Sequence, residues 1–410
     1  MESSDKALRR QIKPSVSPSP FDGERELTPS PLRGEGWDGG GVPLVSRPVH
    51  GGIKPAELRT LGLKPEDVLD FSASISPIGP PAGIWDAMRR VDLTAYPDPQ
   101  CLELREAIAR YLAVSGQRSA VSSVGLERIL VGNGSTELIH LLARGYLSPP
   151  RPGTTNTAFL LIPTYGEYEG ACRLVGAAIS CMGAQHRAGF LWDLEETARR
   201  IAIERPSLVF LCNPNNPTGV YLQQPEVESL AGVVASAGGL LVLDEAYVSF
   251  VDRSWDSLAL LKWESVVLLR SMTKDYALTG LRLGYSLASG EVTARLASWQ
   301  PDWSVNGLAQ AAGVAALADA GYLPRARQAV AQSKEYLTAQ LTALGFTVMS
   351  STANFLMVQV GDGPALRDKL MRRGFFVRDC ASFGLPDYIR IGIRALPDCQ
   401  RLAEAMRAVI

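Results

Sequence analysis

The chain has 410 residues, 46% of them hydrophobic, so it is long enough for about two to three domains with buried cores. Its 41 Lys and Arg residues balance 42 Asp and Glu residues, which excludes a strongly basic nucleic-acid-binding protein and a strongly acidic solvating chain. The six cysteines form no CxxC pair and no apolar stretch is long enough to span a membrane, so we expect a cytoplasmic protein without a metal site or a membrane partner.

The first 100 residues contain two distinct segments. Residues 1–46 are dense in Pro, Gly and Ser and have no regular apolar period. They bury too little apolar surface to offset the entropy lost on ordering, so we predict a disordered tail. Residues 47–100 follow as an N-terminal arm and substrate-binding segment, which contains HGG (50–52) and DFSASISPIGPP (70–81).

Helical and apolar segments alternate from Leu102 and predict a large domain over residues 101–300. A helical run, LELREAIARYL, comes first. Apolar runs follow that are continuous rather than alternating: RILV (128–131), AFLLIP (158–163), LVFLC (208–212), LLVLD (240–244) and VVLLR (266–270). Such strands are buried on both faces, which predicts a mostly parallel, doubly wound α/β sheet.

The pattern changes after Arg282. Long amphipathic helices are predicted across roughly 306–345. Shorter strand candidates then appear: FTVM (346–349), FLMVQV (355–360) and YIRIGIR (388–394). We therefore predict an interdomain helix and a small α+β domain over residues 301–410.

Polar groups follow the predicted strands at the edge where open α/β sheets bind ligands. GNGSTE (132–137) opens a helix, where backbone N–H groups from Gly134 onward and the hydroxyls of Ser135 and Thr136 are suited to a phosphate. Taken alone, this motif favours an ordinary glycine turn with a serine N-cap. NPNNPTG (213–219) forms a rigid loop that presents Asn216 at the end of its strand.

Two charged residues end or follow the next strands. Asp244 ends LLVLD, and a buried carboxylate there requires a cationic partner. Lys274 follows VVLLR among Ser271, Thr273 and Arg282. A buried lysine is displaced toward the neutral amine, which condenses with aldehydes, whereas a lone lysine is most often solvated.

The order NPxNPTG, DEAY and SxTK, with an arginine eight residues after the lysine, resembles the fold-type I enzymes of pyridoxal 5'-phosphate (PLP), the aspartate-aminotransferase superfamily. The resemblance implies that Lys274 carries PLP as a Schiff base and moves protons at the substrate carbon. It implies that Asp244 pairs with the protonated ring nitrogen, and that Asn216 and Tyr247 bond the phenolic oxygen. Around the cofactor phosphate it places Gly134, Ser135, Thr136, Ser271, Thr273 and Arg282.

Two tyrosines have roles implied by the same resemblance. Tyr165, in IPTYGEY, either stacks on the pyridine ring or packs in the core. Tyr96, in AYPDP, matches a tyrosine that reaches the cofactor phosphate of the neighbouring subunit. This match implies a homodimer with shared active sites.

The chain resembles two neighbouring families in particular, histidinol-phosphate aminotransferase and threonine-phosphate decarboxylase of cobalamin biosynthesis. HGG followed by DFSASISPIGPP is similar to the decarboxylases, in which His50 and Gly51 would bind the substrate phosphate from across the dimer. Ser74 and Ser76 stand where relatives often carry Asn, and a shorter side chain there alters how the substrate is held.

The C-terminal segment FVRDCASFGLPDYIRIGIR (376–394) resembles the substrate-binding region of the decarboxylases. Arg390 matches the arginine that forks onto the substrate carboxylate, a bidentate task that Lys does not replace. Arg378 matches a second arginine, for the substrate phosphate. Arg394 is the alternative carboxylate ligand.

The sequence therefore predicts decarboxylation of L-threonine O-3-phosphate to (R)-1-amino-2-propanol O-2-phosphate and CO2 in cobalamin biosynthesis. The alternative is transamination of histidinol phosphate or a related amino acid. A third hypothesis, a binding module of the same fold without turnover, is disfavoured because Lys274, Asp244 and Arg390 are all present.

Overall fold

The secondary structure comes from a computed structural model of the protein, which describes residues 48–114, 124–148 and 152–410. The tail predicted for residues 1–46 lies outside these ranges. The strands are β1 Leu69–Asp70, β2 Ile129–Gly132, β3 Thr155–Ile162, β4 Ala178–Gly183, β5 Pro206–Cys212, β6 Leu240–Asp244, β7 Val266–Ser271, β8 Gly284–Leu287, β9 Thr347–Val348, β10 Phe355–Gln359, β11 Phe375–Phe376, β12 Arg378–Asp379 and β13 Tyr388–Gly392.

The helices alternate with these strands through the first three quarters of the chain. They are α1 Pro55–Thr60, α2 Gly83–Arg89, α3 Leu102–Val114, α4 Gly134–Leu147, α5 Glu167–Leu174, α6 Leu194–Glu204, α7 Gln224–Ser236, α8 Met272–Asp275, α9 Gly290–Ala297, α10 Gly307–Ala318, α11 Tyr322–Ala343, α12 Gly363–Met371 and α13 Leu396–Arg407. In the described ranges no helix is long and apolar enough to cross a bilayer.

A seven-stranded sheet in the order β2-β8-β7-β6-β5-β3-β4 forms the centre of the molecule. Strand β8 runs antiparallel to both of its neighbours, and the other pairs are parallel. Every residue of β5, β6 and β7 is buried, as expected for strands covered on both faces. The predicted mostly parallel, doubly wound sheet is therefore confirmed.

Side chains of each central strand alternate between two hydrophobic cores. In β5, Val209 and Leu211 belong to the core that α3, α6, α7 and α10 complete. Leu208 and Phe210 point the other way, into the core formed with α4, α5 and α9. The sheet is thus enclosed between two helical layers, so that its ends, rather than its faces, are open to ligands.

The C-terminal part of the chain forms a smaller antiparallel sheet in the order β12-β13-β10-β9. The N-terminal arm is attached to this region, because β1 pairs in parallel with β11, with Leu69 opposite Phe375. The N–H of Gly392 also donates to the carbonyl of Phe71 at 2.7 Å. The arm and the C-terminal sheet therefore pack together, and the boundaries expected at 100/101 and 300/301 stay predictions.

Strands β4 and β8 were not predicted from the sequence. Strand β4, AISCMG, lies at the sheet edge and is mostly half-buried, so it lacks a continuous apolar run. Strand β8, GYSL, is short and contains Gly284 and Ser286, and its burial comes from pairing with β2 and β7. Both are defined by their neighbours in the sheet more than by their own composition.

Candidate active site

The candidate site lies where the parallel strands of the central sheet end. Asp244 is the last residue of β6, and it pairs with Cys212 at the end of β5 and with Leu269 of β7. Ser271 ends β7, and Lys274 follows in the short helix α8. Cys212, Asp244, Ser271 and Lys274 line one cavity of about 520 Å³, because the carboxyl ends of parallel strands meet at the same edge.

One end of the cavity is suited to a phosphate group. Gly134 begins α4 with φ of 78°, and Ser135 lies in the first turn of the helix, whose N-cap residue is Asn133. A Cβ at Gly284 would lie 2.7 Å from the backbone nitrogen of Ser135, so β8 and the start of α4 approach each other closely. This end of the cavity is lined by Ser135, Thr136, Ser271, Thr273, Thr279 and Arg282. It combines hydroxyls, a guanidinium group and free N–H groups at a helix N-terminus.

Asp244 is a buried carboxylate that the protein holds with neutral donors. The hydroxyl of Tyr168 donates to Oδ2 at 2.7 Å, and the N–H of Ala246 donates to Oδ1 at 3.0 Å. Burial raises the pKa of Asp244 to about 6, and the bond from Tyr168 opposes that rise. The carboxylate therefore lacks a hydrogen-bonded cation among the described residues and suits a cationic nitrogen in the cavity.

Lys274 carries the amine of the site. Its pKa is lowered to about 8, first by burial and then by the positive charges of Arg390 and Arg282. In the described part of the chain, no hydrogen bond or ion pair engages its Nζ, and only burial and the charges of neighbouring residues act on it. A substantial fraction of the amine is therefore neutral at physiological pH, and it is free to react.

Two arginines from adjacent strands line the opposite wall. Arg378 of β12 and Arg390 of β13 are directly opposite each other in the antiparallel pair. Arg390 donates through Nη1 to Oδ1 of Asn216 and through Nη2 to the carbonyl of Ser72 at 2.8 Å, while its buried Nε has no partner among the residues that the structure describes. This wall therefore presents two guanidinium groups to an anionic ligand.

Three further polar residues of the sequence prediction also line the cavity. The hydroxyl of Tyr165 lies 3.4 Å from Oγ1 of Thr136, and its ring packs against the hydrophobic core, while its stacking on a pyridine ring stays a prediction. Burial raises the pKa of Tyr247, whose ring contacts Phe355 edge to face. Ser74 is buried, and within the described ranges its Oγ has no hydrogen-bond partner.

The structure brings together nearly all of the residues predicted for the site. The predicted residues that line the cavity are His50, Gly51, Ser74, Ser135, Thr136, Tyr165, Asn216, Asp244, Tyr247, Ser271, Thr273, Lys274, Arg282, Arg378 and Arg390. Gly134 lies beside it, next to Arg282. Tyr96 does not line the cavity: it is 80% exposed and stacks on Trp303 with 4.6 Å between ring centroids. Its role toward a neighbouring subunit stays a prediction.

The HGG segment lines the cavity of its own chain, and the approach across a dimer stays a prediction. Its position is fixed locally, because the N–H of Gly52 donates to Oγ of Ser72 at 2.7 Å. Gly51 packs against the Ser72 carbonyl so closely that a Cβ has no room. His50 consequently lines the cavity of its own subunit.

Sequence reasoning missed several residues that line the cavity, among them Ser72, Glu167, Tyr168 and Thr279. Tyr168 follows Tyr165 by three residues, and the two rings meet edge to face with 5.6 Å between their centroids. That spacing is a usable signal. The partner of Tyr168, Asp244, is 76 positions away and only the fold reveals it.

Comparisons with known proteins agree with this geometry. A family model described as aminotransferase class I and II matches residues 66–409. A histidinol-phosphate aminotransferase of Symbiobacterium thermophilum is 34% identical over 363 residues, which is 87% of this chain and 94% of that protein. A threonine-phosphate decarboxylase of Salmonella typhimurium is 33% identical over 372 residues, which is 88% of this chain and 96% of that protein.

A solved structure shares the fold. The histidinol-phosphate aminotransferase from Sinorhizobium meliloti, in complex with pyridoxal-5'-phosphate, superposes with a TM-score of 0.74 at 25% identity, covering 88% of this chain and 96% of that chain. The matched region of the family model includes every strand of the central sheet and both arginine-bearing strands.

Proposed function

Because this chain belongs to the class I and II aminotransferases, a family of enzymes whose cofactor is pyridoxal 5'-phosphate, we propose that it decarboxylates L-threonine O-3-phosphate. The products are (R)-1-amino-2-propanol O-2-phosphate and CO2. The observation that carries the proposal is the pair of arginines, Arg378 and Arg390, in the cavity that His50 also lines.

The cavity fits PLP in three respects. The amine of Lys274, whose pKa is lowered to about 8, suits the cofactor aldehyde, and no cation among the described residues bonds the buried Asp244, a role that the ring nitrogen would fill. The hydroxyls around the start of α4, together with Arg282, suit the cofactor phosphate. Asn216 and Tyr247 are near enough to the same cavity to serve the phenolic oxygen.

The arginine pair fits a substrate with two anionic groups on neighbouring carbons. Residues directly opposite in an antiparallel pair have Cβ atoms about 4.5–5.5 Å apart on one face of the sheet. Arg378 and Arg390 are such a pair. Threonine phosphate carries its carboxylate on Cα and its phosphate on the next carbon, so we assign the carboxylate to Arg390 and the phosphate to Arg378.

In the proposed reaction the bond between Cα and the carboxylate carbon breaks, CO2 leaves, and a proton is added to Cα. When bound, PLP supplies an electron sink for the pair that the broken bond leaves behind. The two arginines hold the substrate at both of its anionic ends and thereby limit its rotation about Cα. Lys274, whose pKa is about 8, is able to carry the proton that returns to Cα.

Transamination of histidinol phosphate is the second candidate, and the 34% identical relative from Symbiobacterium thermophilum favours it. In that reaction Lys274 removes the proton from Cα, and no CO2 forms. The arginine pair would bind the phosphate of one substrate and the carboxylates of the 2-oxoglutarate acceptor in turn.

The experiment that tests the proposal compares two substrates with one preparation of holoenzyme. L-Threonine phosphate is supplied alone, and release of CO2 and formation of aminopropanol phosphate are measured. Histidinol phosphate is then supplied with 2-oxoglutarate, and glutamate is measured. CO2 release in the first reaction without glutamate in the second supports the proposal, and glutamate without CO2 contradicts it.

A further inference from the structure

The first described residues of the N-terminal arm form a strap, defined here as Pro48 to Gly52, which lies against helix α5. A Cβ at Gly170 would approach Cγ of Pro48 to 2.9 Å, and a Cβ at Gly166 would approach its Cβ to 3.2 Å. Gly170 of α5 and Gly166, the N-cap residue of that helix, therefore provide the space in which Pro48 packs.

The strap also contacts the wall that carries the substrate arginines. Nη2 of Arg378 donates to the carbonyl of Val49 at 3.1 Å, and the N–H of Gly52 donates to Oγ of Ser72 at 2.7 Å. A displacement of the strap would therefore remove a hydrogen bond from the guanidinium group of Arg378.

Glu167, the first residue of α5, links the strap to helix α4. Nε2 of His50 donates to Oε1 of Glu167 at 2.5 Å, and Nε2 of His140 donates to Oε2 at 3.1 Å. These two bonds are the largest causes of a pKa of about 2 for Glu167, so its carboxylate is ionised at physiological pH. The carboxylate is 12% exposed, whereas the ring of His50 is 42% exposed.

We propose that Glu167 is a positioning residue, which holds the imidazole of His50 in the cavity while His140 fixes the carboxylate from behind. The inference rests on the proposed function only for the identity of the ligand, a substrate phosphate. The strap's docking is independent of it.

The orientation of the His50 ring determines which of its nitrogens is available to a ligand. The centroid of the His50 ring lies 5.6 Å from that of Tyr165, and Nε2 of His50 is hydrogen-bonded to Glu167. Nδ1 is then the ring atom left for a ligand, and in the protonated ring it donates to an anionic oxygen. Since Arg378 is held by the same strap, His50 and Arg378 present their donors to one phosphate group.

The test uses holoenzyme carrying Glu167→Gln, with Glu169→Gln as the matched control. Glu169 lies in the same helix and is exposed. Its ion-pair partner is Arg173, at 2.7 Å, and not a residue of the strap. An amide has one acceptor oxygen and no charge, so it accepts from only one of the two histidines and attracts neither of them as an anion.

Hydrogen exchange of a peptide covering residues 49–53, measured by mass spectrometry, reports whether the strap is held. We expect inorganic phosphate to slow this exchange in the wild type and in Glu169→Gln, and to have at least tenfold less effect in Glu167→Gln. For turnover of threonine phosphate, we expect KM to rise about tenfold in Glu167→Gln with kcat within about threefold, because a hydrogen bond to a charged group is lost.

His140→Asn keeps the bond between His50 and Glu167 and removes the support behind it, so a smaller effect in the same direction is expected. If Glu167→Gln fails to fold, His140→Asn still tests whether the carboxylate of Glu167 holds His50. Strap exchange and KM equal to those of Glu169→Gln in both variants would overturn the inference. If the wild type does not convert threonine phosphate, the proposed function fails, while the exchange measurement with inorganic phosphate still decides the role of Glu167.

Discussion

Asp244 should make the cofactor-free protein less stable at neutral pH than at acidic pH. Burial raises the pKa of this carboxyl from 3.8 to about 6 in the folded chain. The folded state thus holds the proton more tightly than the unfolded state does. The stabilisation that this protonation gives is fully present below pH 3.8 and is lost as the pH rises through about 6. At 1.36 kcal/mol per pH unit, the full loss is about 3 kcal/mol.

Asp244→Asn removes the titrating group and keeps its shape, so it should remove this loss. In urea unfolding of cofactor-free protein at pH 4.5 and pH 7.5, the free energy of unfolding of the variant relative to wild type should increase by about 2 kcal/mol between the two pH values. The remainder of the 3 kcal/mol is already lost at about pH 4.5. The variant leaves one donor, the Tyr168 hydroxyl or the Ala246 N–H, without its acceptor, but that cost is the same at both pH values.

Asp252→Asn is the matched control, because the Asp252 side chain is 96% exposed and lies in solvent in the folded and unfolded chain alike. Its difference from wild type should be equal at the two pH values. A constant difference for Asp244→Asn as well, or one that shifts against the variant at pH 7.5, would refute the argument that burial sets the charge of this carboxyl. PLP should restore stability to the wild type at pH 7.5 and do so much less for Asp244→Asn.

Three further predictions concern the cofactor and the substrate. Lys274→Ala should yield no cofactor adduct after borohydride reduction, by mass spectrometry of the digested protein, and should lower kcat by about 10²-fold to 10⁴-fold, the usual contribution of an acid–base group. Arg390→Lys should raise KM for threonine phosphate about tenfold to a hundredfold, because a bidentate contact is lost. Arg394 pairs with Asp398, so Arg394→Lys should leave KM unchanged. Equal effects of the two variants would reassign the carboxylate ligand. Gly284→Ala should weaken PLP binding at least about tenfold and cost about 1–3 kcal/mol of stability, measured by cofactor titration and thermal unfolding, because the added Cβ would lie 2.7 Å from the nitrogen of Ser135.

The sequence predicts those parts of the fold whose signal is local. LVFLC and LLVLD are apolar without interruption because β5 and β6 are buried on both faces, and their strand ends could be located within a few residues. Because parallel α/β sheets bind ligands at the carboxyl ends of their strands, these strand ends indicated that Asn216 and Asp244 lie in the site. Strand β8 escaped prediction because its four residues become a strand only through pairing with β2 and β7.

Contacts between distant residues could not be predicted in the same way. The sequence indicated that Asp244 requires a cationic partner, whereas the structure holds it with the hydroxyl of Tyr168 and a backbone N–H. Glu167 and His50 are 117 positions apart, and neither has a local pattern that points to the other. The path of the strap depends on glycines at 166 and 170, whose small size matters only once Pro48 has been brought against α5.

The pairing of β1 with β11 has a consequence for synthesis of the protein. The N-terminal residues of a chain leave the ribosome first, so the segment around Phe71 emerges long before its partners Phe376 and Gly392 have been synthesised. A nascent chain that already displays Lys274 and Asp244 still lacks Arg378, Arg390 and one wall of the cavity. The cavity is therefore complete only when translation is nearly finished.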